Sequence, residues 1–371
     1  MENVSENPVQ TELAPPAIST AEQPMSQIKH GFKFYGKGGE YFRIWIVNLS
    51  LTILTLGIYS AWAKVRNMNY VYNNLEVMGS RFHYHASAIN ILKGRLIVAG
   101  LFIAYLATTH FFPILSALFS LVFIFVTPWL IVRSLQFTAR NTSFRGVRFN
   151  FKGSHGAALS NFILLPIGAF LTLGLLTPYM FHQQQKYIVD NAYYGQQKFR
   201  FEDNVSAFYW LCFKAFIALA IGGAVVTGLI SVVSDAVTVL LPASAGPDFI
   251  NGVLAAVSVG LMFVYMLLVQ SYFNVLLINA RYCQSHLLDS GFESRLSVLG
   301  LGWIYISNMV LIIGSLGLAI PWTTMRLMNY RANALSVLEG SQFSNIVAES
   351  IEHQSAFGEE VGDALDVDFA L

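Results

Sequence analysis

The residues with the clearest chemical potential form an arginine–aromatic–amide stripe that occurs twice. Trp62, Arg66, Asn69, Tyr70 and Asn73 fall at i, i+4, i+7, i+8 and i+11, one face of a helix. Trp322, Arg326, Asn329, Tyr330 and Asn333 repeat the set at the same spacing. A guanidinium fork between aromatic rings can hold a lipid headgroup or an anionic solute. An aromatic belt with a snorkelling arginine, where a helix leaves a bilayer, uses the same residue types. The belt accounts for Trp, Arg and Tyr but does not require the recurring amides. Asn48 and Asn308 stand at matching points inside apolar segments. An amide in hydrocarbon needs a partner, and such interhelical bonds contribute about 0.6–2 kcal/mol. The pair either joins helices or lines a polar path, and a bond between Asn48 and Asn308 would serve both.

Other reactive residues are sparse. His83 and His85 share a face of an alternating stretch, which permits metal binding, yet no cysteine or carboxylate motif accompanies them. An amphipathic surface strand is the plainer reading. Cys212 and Cys283 lie in or beside apolar segments and form neither a disulfide framework nor a zinc set; they read as buried thiols. The sequence has no nucleophile elbow, phosphate loop, HExxH or paired intramembrane carboxylates, so no catalytic residue, metal or cofactor is expected and the chain reads as a non-enzyme. Acidic residues are missing from the interiors of the apolar segments, which counts against a proton-coupled pump. The basic residues are dispersed rather than clustered, so nucleic acid is not an expected partner.

The elements that must position these residues are membrane segments. The chain has 371 residues, 55% hydrophobic and only 12% charged, with mean hydropathy +0.53. Soluble domains average about 25% charged residues, so too little polar surface remains here to coat a soluble globule. Hydrophobic segments lie at Tyr41–Ala61, Leu96–Phe112, Ile114–Val132, Ala158–Tyr179, Tyr209–Val233, Gly252–Ile278 and Ser297–Ile320. A spanning helix needs about 17–25 residues. The second and third segments flank Pro113 as a tight hairpin, and the fifth and sixth form another around Ser234–Phe249. Gly222, Gly223 and Gly228 supply a small-residue face for close helix packing, and Pro166 predicts a kink in the fourth segment.

An internal repeat organises the rest. Setting Gly57 on Gly317 aligns Asn48, Trp62, Arg66, Asn69, Tyr70 and Asn73 with Asn308, Trp322, Arg326, Asn329, Tyr330 and Asn333 without a gap. Setting Gly57 on Gly174 gives a weaker middle copy in which Phe32, Phe34, Tyr70 and Phe82 meet Phe149, Phe151, Tyr187 and Phe199. The expected organisation is repeat units over about 30–85, 147–202 and 290–340, separated by membrane hairpins at 96–132 and 209–278. Each unit runs from an alternating stretch, through an apolar segment with a Gly–aliphatic elbow, to an aromatic helix and a second alternating stretch. Period-two alternation predicts small β pairs outside the bilayer. The third copy, with Phe292-Glu293-Ser294 and Gln342-Phe343-Ser344, reads as poor strand. Residues 1–28 read as a disordered polar tail and 341–371 as an acidic tail, leaving 29–340 as the membrane domain.

Of 22 Lys and Arg, none lies in either hairpin turn. Lys214 sits near the start of the fifth segment beside Trp210, and the rest lie in tails, inter-unit loops or segment ends. The positive-inside rule puts both turns outside and the loops in the cytoplasm. The first, fourth and seventh segments then begin and end on one side. Either they re-enter around the glycine elbow or the rule fails at one end of each, and the charge distribution favours re-entry.

Gly39-Glu40-Tyr41-Phe42-Arg43-Ile44-Trp45, Thr55-Leu56-Gly57-Ile58-Tyr59 and Trp62-Ala63-Lys64-Val65-Arg66 resemble the opening signature of the bacterial YjgN family. Gly79-Ser80-Arg81-Phe82-His83-Tyr84 and Lys93-Gly94-Arg95-Leu96 continue the resemblance, which covers about 30–340. It implies a multi-pass protein of a Gram-negative inner membrane, in a family of unknown function with no established active site. The expected fold is an all-α polytopic helical bundle with three internal repeats and small β elements outside the membrane. The leading functional expectation is a solute or lipid transporter or channel, its path between the units and lined by Asn48, Asn308 and the two stripes. The alternative is a non-catalytic membrane scaffold. The bilayer is one partner and a small molecule or lipid the other; nothing in the sequence identifies a protein partner.

Overall fold

In a computed structural model the chain is described over residues 28–240 and 246–343. The polar N-terminal tail up to residue 27 and the acidic stretch from residue 344 lie outside the described residues, as does 241–245.

The helices come in consecutive pairs. They are α1 (Gly38–Leu54) with α2 (Ser60–Asn73), and α3 (Ala88–Phe111) with α4 (Pro113–Arg140). Next come α5 (His155–Leu171) with α6 (Thr177–Asp190), and α7 (Val205–Leu240) with α8 (Pro247–Cys283). The last pair is α9 (Val298–Gly314) with α10 (Ile320–Asn333). Pro166 has its effect one turn early, where residues Ser160–Leu164 of α5 form a π turn. Its missing N–H and bulky ring interrupt the ordinary i→i−4 ladder there.

The expectation of an all-α bundle is overturned. Eleven strands form one antiparallel sheet. They are β1 (Ile28–Gly31), β2 (Lys33–Phe34), β3 (Leu75–Val77), β4 (Ser80–Tyr84), β5 (Thr142–Phe144) and β6 (Val147–Phe151). They continue as β7 (Ala192–Tyr194), β8 (Gln197–Phe201), β9 (Ser285–Leu287), β10 (Ser290–Ser294) and β11 (Leu335–Glu339). Neighbours in sequence are neighbours in the sheet from β2 to β11, and β1 pairs with β11. β1 and β2 are one strand bent at Phe32, whose N–H bonds the Leu335 carbonyl at 3.1 Å. That strand holds β11 on one side (Gly31 opposite Ser336) and β3 on the other (Phe34 opposite Leu75), so the sheet closes into a barrel.

Strands of two to five residues carry almost no periodic signal in isolation. Closure is what stabilises them, because β3 to β11 each gain a ladder on both edges, and β1 and β2 share one bent strand between β11 and β3. The third repeat copy illustrates the point. Its Phe292-Glu293-Ser294, expected to be poor strand, lies in β10, held between β9 and β11, whereas Gln342 and Phe343 follow the end of β11 and are not strand. Tight turns join the hairpins, with both central residues left-handed at Met78-Gly79 (φ 51° and 69°) and Arg145-Gly146 (φ 48° and 81°), as type I′ turns need.

Each helix pair is followed by a β hairpin, the last completed by the N-terminal strand. The two membrane hairpins that separate the sequence repeats are therefore further copies of the same topological unit with longer helices. Neighbouring pairs pack side by side, and α1 against α10 closes the ring. Phe42 and Trp322 seal this join with ring centroids 4.9 Å apart.

The pairs differ in reach. α3, α4, α7 and α8 are long and apolar enough to cross a bilayer. α1 and α2, with 17 and 14 residues, extend only about 25 and 21 Å at 1.5 Å per residue, against a hydrocarbon core of about 30 Å. Both their ends attach to the barrel, and the same holds for α5/α6 and α9/α10. At the three elbows Leu56, Leu173 and Leu316 are 95%, 96% and 94% exposed. They adopt left-handed φ of 49°, 51° and 53° ahead of Gly57, Gly174 and Gly317. A left-handed leucine costs about 1–2 kcal/mol, so an apolar tip is kept there against local preference. These three hairpins are short, carry apolar tips and have both ends on the barrel side, the geometry that re-entry requires.

Candidate functional site

The two stripes lie on α2 and α10, and the structure joins each to the entering helix of its own unit. Asn48 of α1 is buried; its Nδ2 donates to Asn67 Oδ1 at 3.0 Å and its Oδ1 accepts from Arg66 at 3.3 Å. Asn308 of α9 repeats the arrangement, donating to the Thr323 carbonyl at 3.2 Å and accepting from Arg326 at 3.3 Å. Arg66 also reaches the Tyr59 hydroxyl at 3.1 Å, and Arg326 the Ser307 hydroxyl at 2.8 Å. Each amide thus bonds the arginine of its own unit, within one elbowed pair. Both guanidiniums keep an exposed side.

The tyrosines latch the helices of a pair together. The Tyr70 hydroxyl accepts from the Lys37 N–H at 2.9 Å, Tyr187 donates to the Ser154 carbonyl at 3.0 Å, and Tyr330 accepts from the Ser297 N–H at 3.2 Å. In every case the partner is the N-cap residue of the entering helix. Burial raises the Tyr187 phenol to about 12, so it stays a donor. Trp62 stacks on Tyr59 and Trp322 closes the ring against Phe42. Asn73 and Asn333 are exposed in the last turns, where Asn333 bonds Asn329 at 3.2 Å.

Other expected features resolve into packing. His85 bonds Ser143 at 2.8 Å, and among the described residues no group of three His, Cys, Asp or Glu could hold a metal. Gly222 lets Tyr265 approach, and the Tyr265 hydroxyl donates to the Leu219 carbonyl at 2.8 Å. Cys212 is half-buried, but Cys283, expected as a buried thiol, is exposed because it sits on the outer side of the last turn of α8.

An apolar chamber was not foreseen from the sequence. A chamber of about 620 Å³ lies where the C-terminal ends of α2, α4, α6, α8 and α10 meet the barrel. Its floor is the barrel interior. Phe32, Phe82, Phe149, Phe199 and Phe292 occupy equivalent strand positions and pack against a buried layer of Val77, Phe144, Tyr194, Leu287 and Val337. Phe343, just after β11, stacks on Tyr194 with centroids 6.0 Å apart and plugs the floor. The Tyr194 hydroxyl donates to the Phe144 carbonyl at 3.0 Å, and burial raises its phenol to about 12 against the opposing effect of Arg145. The signal for this ring was present as a phenylalanine in both alternating stretches of the first two units and in the first of the third, but period-two patterns do not reveal which strands share one interior.

The helix ends above the floor are unequal. Three positions before the C-cap residue of each exit helix stand Val71, Thr138 and Ile188, then Arg281 and Arg331. All line the chamber. Arg281 donates to Gln185 at 2.5 Å and Arg331 to Tyr305 at 3.2 Å.

Comparison with known proteins places this architecture. The family described as "Bacterial protein of unknown function (DUF898)" matches residues 29–364. "Inner membrane protein YjgN" of Salmonella typhimurium is 27% identical over 351 residues, 83% of this chain and 88% of that protein. The proteins of the same name from Escherichia coli O157:H7 and K12 are 34% and 36% identical, over 39% and 34% of this chain and 37% and 32% of their own. No solved structure matches the chain. Both the family match and these relatives, with four membrane-capable helices, make this a multi-pass protein of the bacterial inner membrane. The chain therefore belongs to the DUF898 family, with inner membrane protein YjgN among its relatives.

Proposed function

We propose that this membrane protein is a non-catalytic carrier of lipid-like molecules, which it takes from the bilayer into the chamber between its units. The observation that carries the reading is the chamber itself. Its volume of about 620 Å³ falls within the roughly 300–1,000 Å³ of small-molecule sites, and its walls are almost wholly aromatic and aliphatic. It sits on the axis of a ring of helix pairs whose outer faces are apolar and exposed. A hydrophilic solute would find few partners on these walls, whereas an acyl chain would lose nothing on leaving the bilayer. The bilayer is thus both the solvent and the source of the ligand. The expected path between the repeat units is retained, but its lining shifts from the Trp–Arg–Tyr stripes, whose polar groups are engaged within their own units, to the barrel mouth.

Photo-crosslinking in cell membranes tests this. Benzoylphenylalanine replaces Phe199 in the chamber or Phe216 on the exposed face of α7. A lipid adduct at both positions supports the carrier reading. Lipid adducts at position 216 alone, with only intramolecular products at 199, refute it and favour a scaffold with a sealed barrel.

A further inference from the structure

We propose that Arg281 and Arg331 form an anion subsite at the chamber mouth, so that the ligand is an acyl-chain amphiphile with a carboxylate or phosphate head. This rests on the carrier reading above and adds the identity of the head group.

Two observations carry it. First, the charge at the chamber is uncompensated. Among the described residues that line it there are two arginines and no Asp, Glu, Lys or His. Their hydrogen-bond acceptors, Gln185 and Tyr305, are neutral. The Arg331 Nε is buried without a hydrogen-bond partner. An unpaired buried charge is costly and persists where an opposite charge arrives to meet it.

Second, the fold does not demand these arginines. The equivalent positions in the first three units are Val71, Thr138 and Ile188, and their helices enter the barrel in the same way. A cation in the last turn does favour the helix dipole, but by only about 0.3–1 kcal/mol when exposed; α2 and α6 have none there, and α4 carries Arg140 at its end instead of at the chamber position. Arg281 and Arg331 belong to adjacent units, since β10 pairs with β11. Their charges therefore fall on one side of an otherwise neutral mouth. A planar donor fork over an apolar well matches a carboxylate or phosphate whose chain descends among Phe149, Phe199 and Phe292.

Purified full-length protein in neutral detergent is titrated with cis-parinaric acid and with the alcohol of the same chain, both read by fluorescence. The acid is expected to bind at least about tenfold more tightly than the alcohol, a difference of about 1.4 kcal/mol. Arg281→Gln with Arg331→Gln should reduce acid binding to the alcohol's level and leave the alcohol unchanged, which also shows that the variant is folded. Arg331→Lys, which keeps the charge, should retain most of the preference. Millimolar inorganic phosphate should not displace the acid; displacement would overturn the need for a chain. Equal binding of acid and alcohol overturns the anion subsite while the carrier reading stands. Binding of neither probe overturns both.

Discussion

The Asn48–Arg66 contact is a sharp test of whether the repeated stripe holds helices together or is free to hold a ligand. Asn48→Ala removes a neutral bond to Asn67 at 3.0 Å and a charge-assisted one from Arg66 at 3.3 Å. Net values are about 0.5–1.5 kcal/mol for the first and about 1.5–3 for the second. Arg66 is exposed, so the second belongs at the low end, and together they come to about 2–3 kcal/mol. At about 2–4 °C per kcal/mol for large domains, the thermal midpoint of the purified protein should fall by about 4–12 °C. Asn48→Asp keeps the acceptor for Arg66 but loses the donor to Asn67, so its loss should be intermediate. In a double-mutant cycle with Arg66→Gln, the coupling should be about 1 kcal/mol. Additivity within about 0.3–0.5 kcal/mol, the behaviour of independent sites, would refute the clamp. So would a midpoint unchanged in Asn48→Ala.

Three further outcomes follow from the same geometry. His182 is fully buried between Phe201 and Phe208, and desolvation lowers its pKa despite Asp203 at 3.2 Å. Its neutral form is therefore the folded one. Stability is present above the unfolded value of about 6.5 and is lost as pH falls through the lower folded value. Unfolding rates should rise below that pH, and His182→Gln should flatten the rise; an unchanged profile refutes the assignment. Cysteines placed at Met78 and Leu288 in the barrel turns should both react with an impermeant reagent from the cytoplasmic face only. Cysteines at Leu56 and Leu316 should react from neither face, and labelling of either elbow from outside would show that these hairpins span. Finally, a Cβ on Gly300 would lie 2.4 Å from the Tyr330 hydroxyl, so Gly300→Ala should break the latch between α9 and α10. The expected cost of overpacking is about 1–3 kcal/mol, and because Ser297 Oγ lies 2.6 Å from the same Cβ, Tyr330→Phe combined with Ser297→Ala should relieve the clash and recover part of the lost midpoint.

Much of the membrane part was legible from residue types. Low charge, long apolar runs and lysine- and arginine-free turns located the long hairpins, because transfer into lipid depends on composition over a window and scarcely on neighbours. The matching elbows at Gly57 and Gly317 and the repeated Trp–Arg–Asn–Tyr set marked equivalent units, because one local geometry recurs with its own residues. The barrel was not legible. β2 has two residues and β3 three, and in β10 only Phe292 preserves an alternating pattern. The chamber arginines were equally hidden, since each lies near the end of a helix that reads as an ordinary exit from the membrane.

What the sequence by itself determined was which segments are apolar and where the charges gather along the chain. Hydrophobic transfer and charge exclusion act residue by residue. Only the tertiary structure decided that the short strands close into one sheet, that the intervening hairpins are further copies of the repeat, and that Arg281 and Arg331 face one chamber. Those results depend on hydrogen bonds and charges between residues far apart in the chain. The bond from Phe32 to Leu335 closes the barrel, and without that closure the strands would be isolated fragments with no interior to enclose.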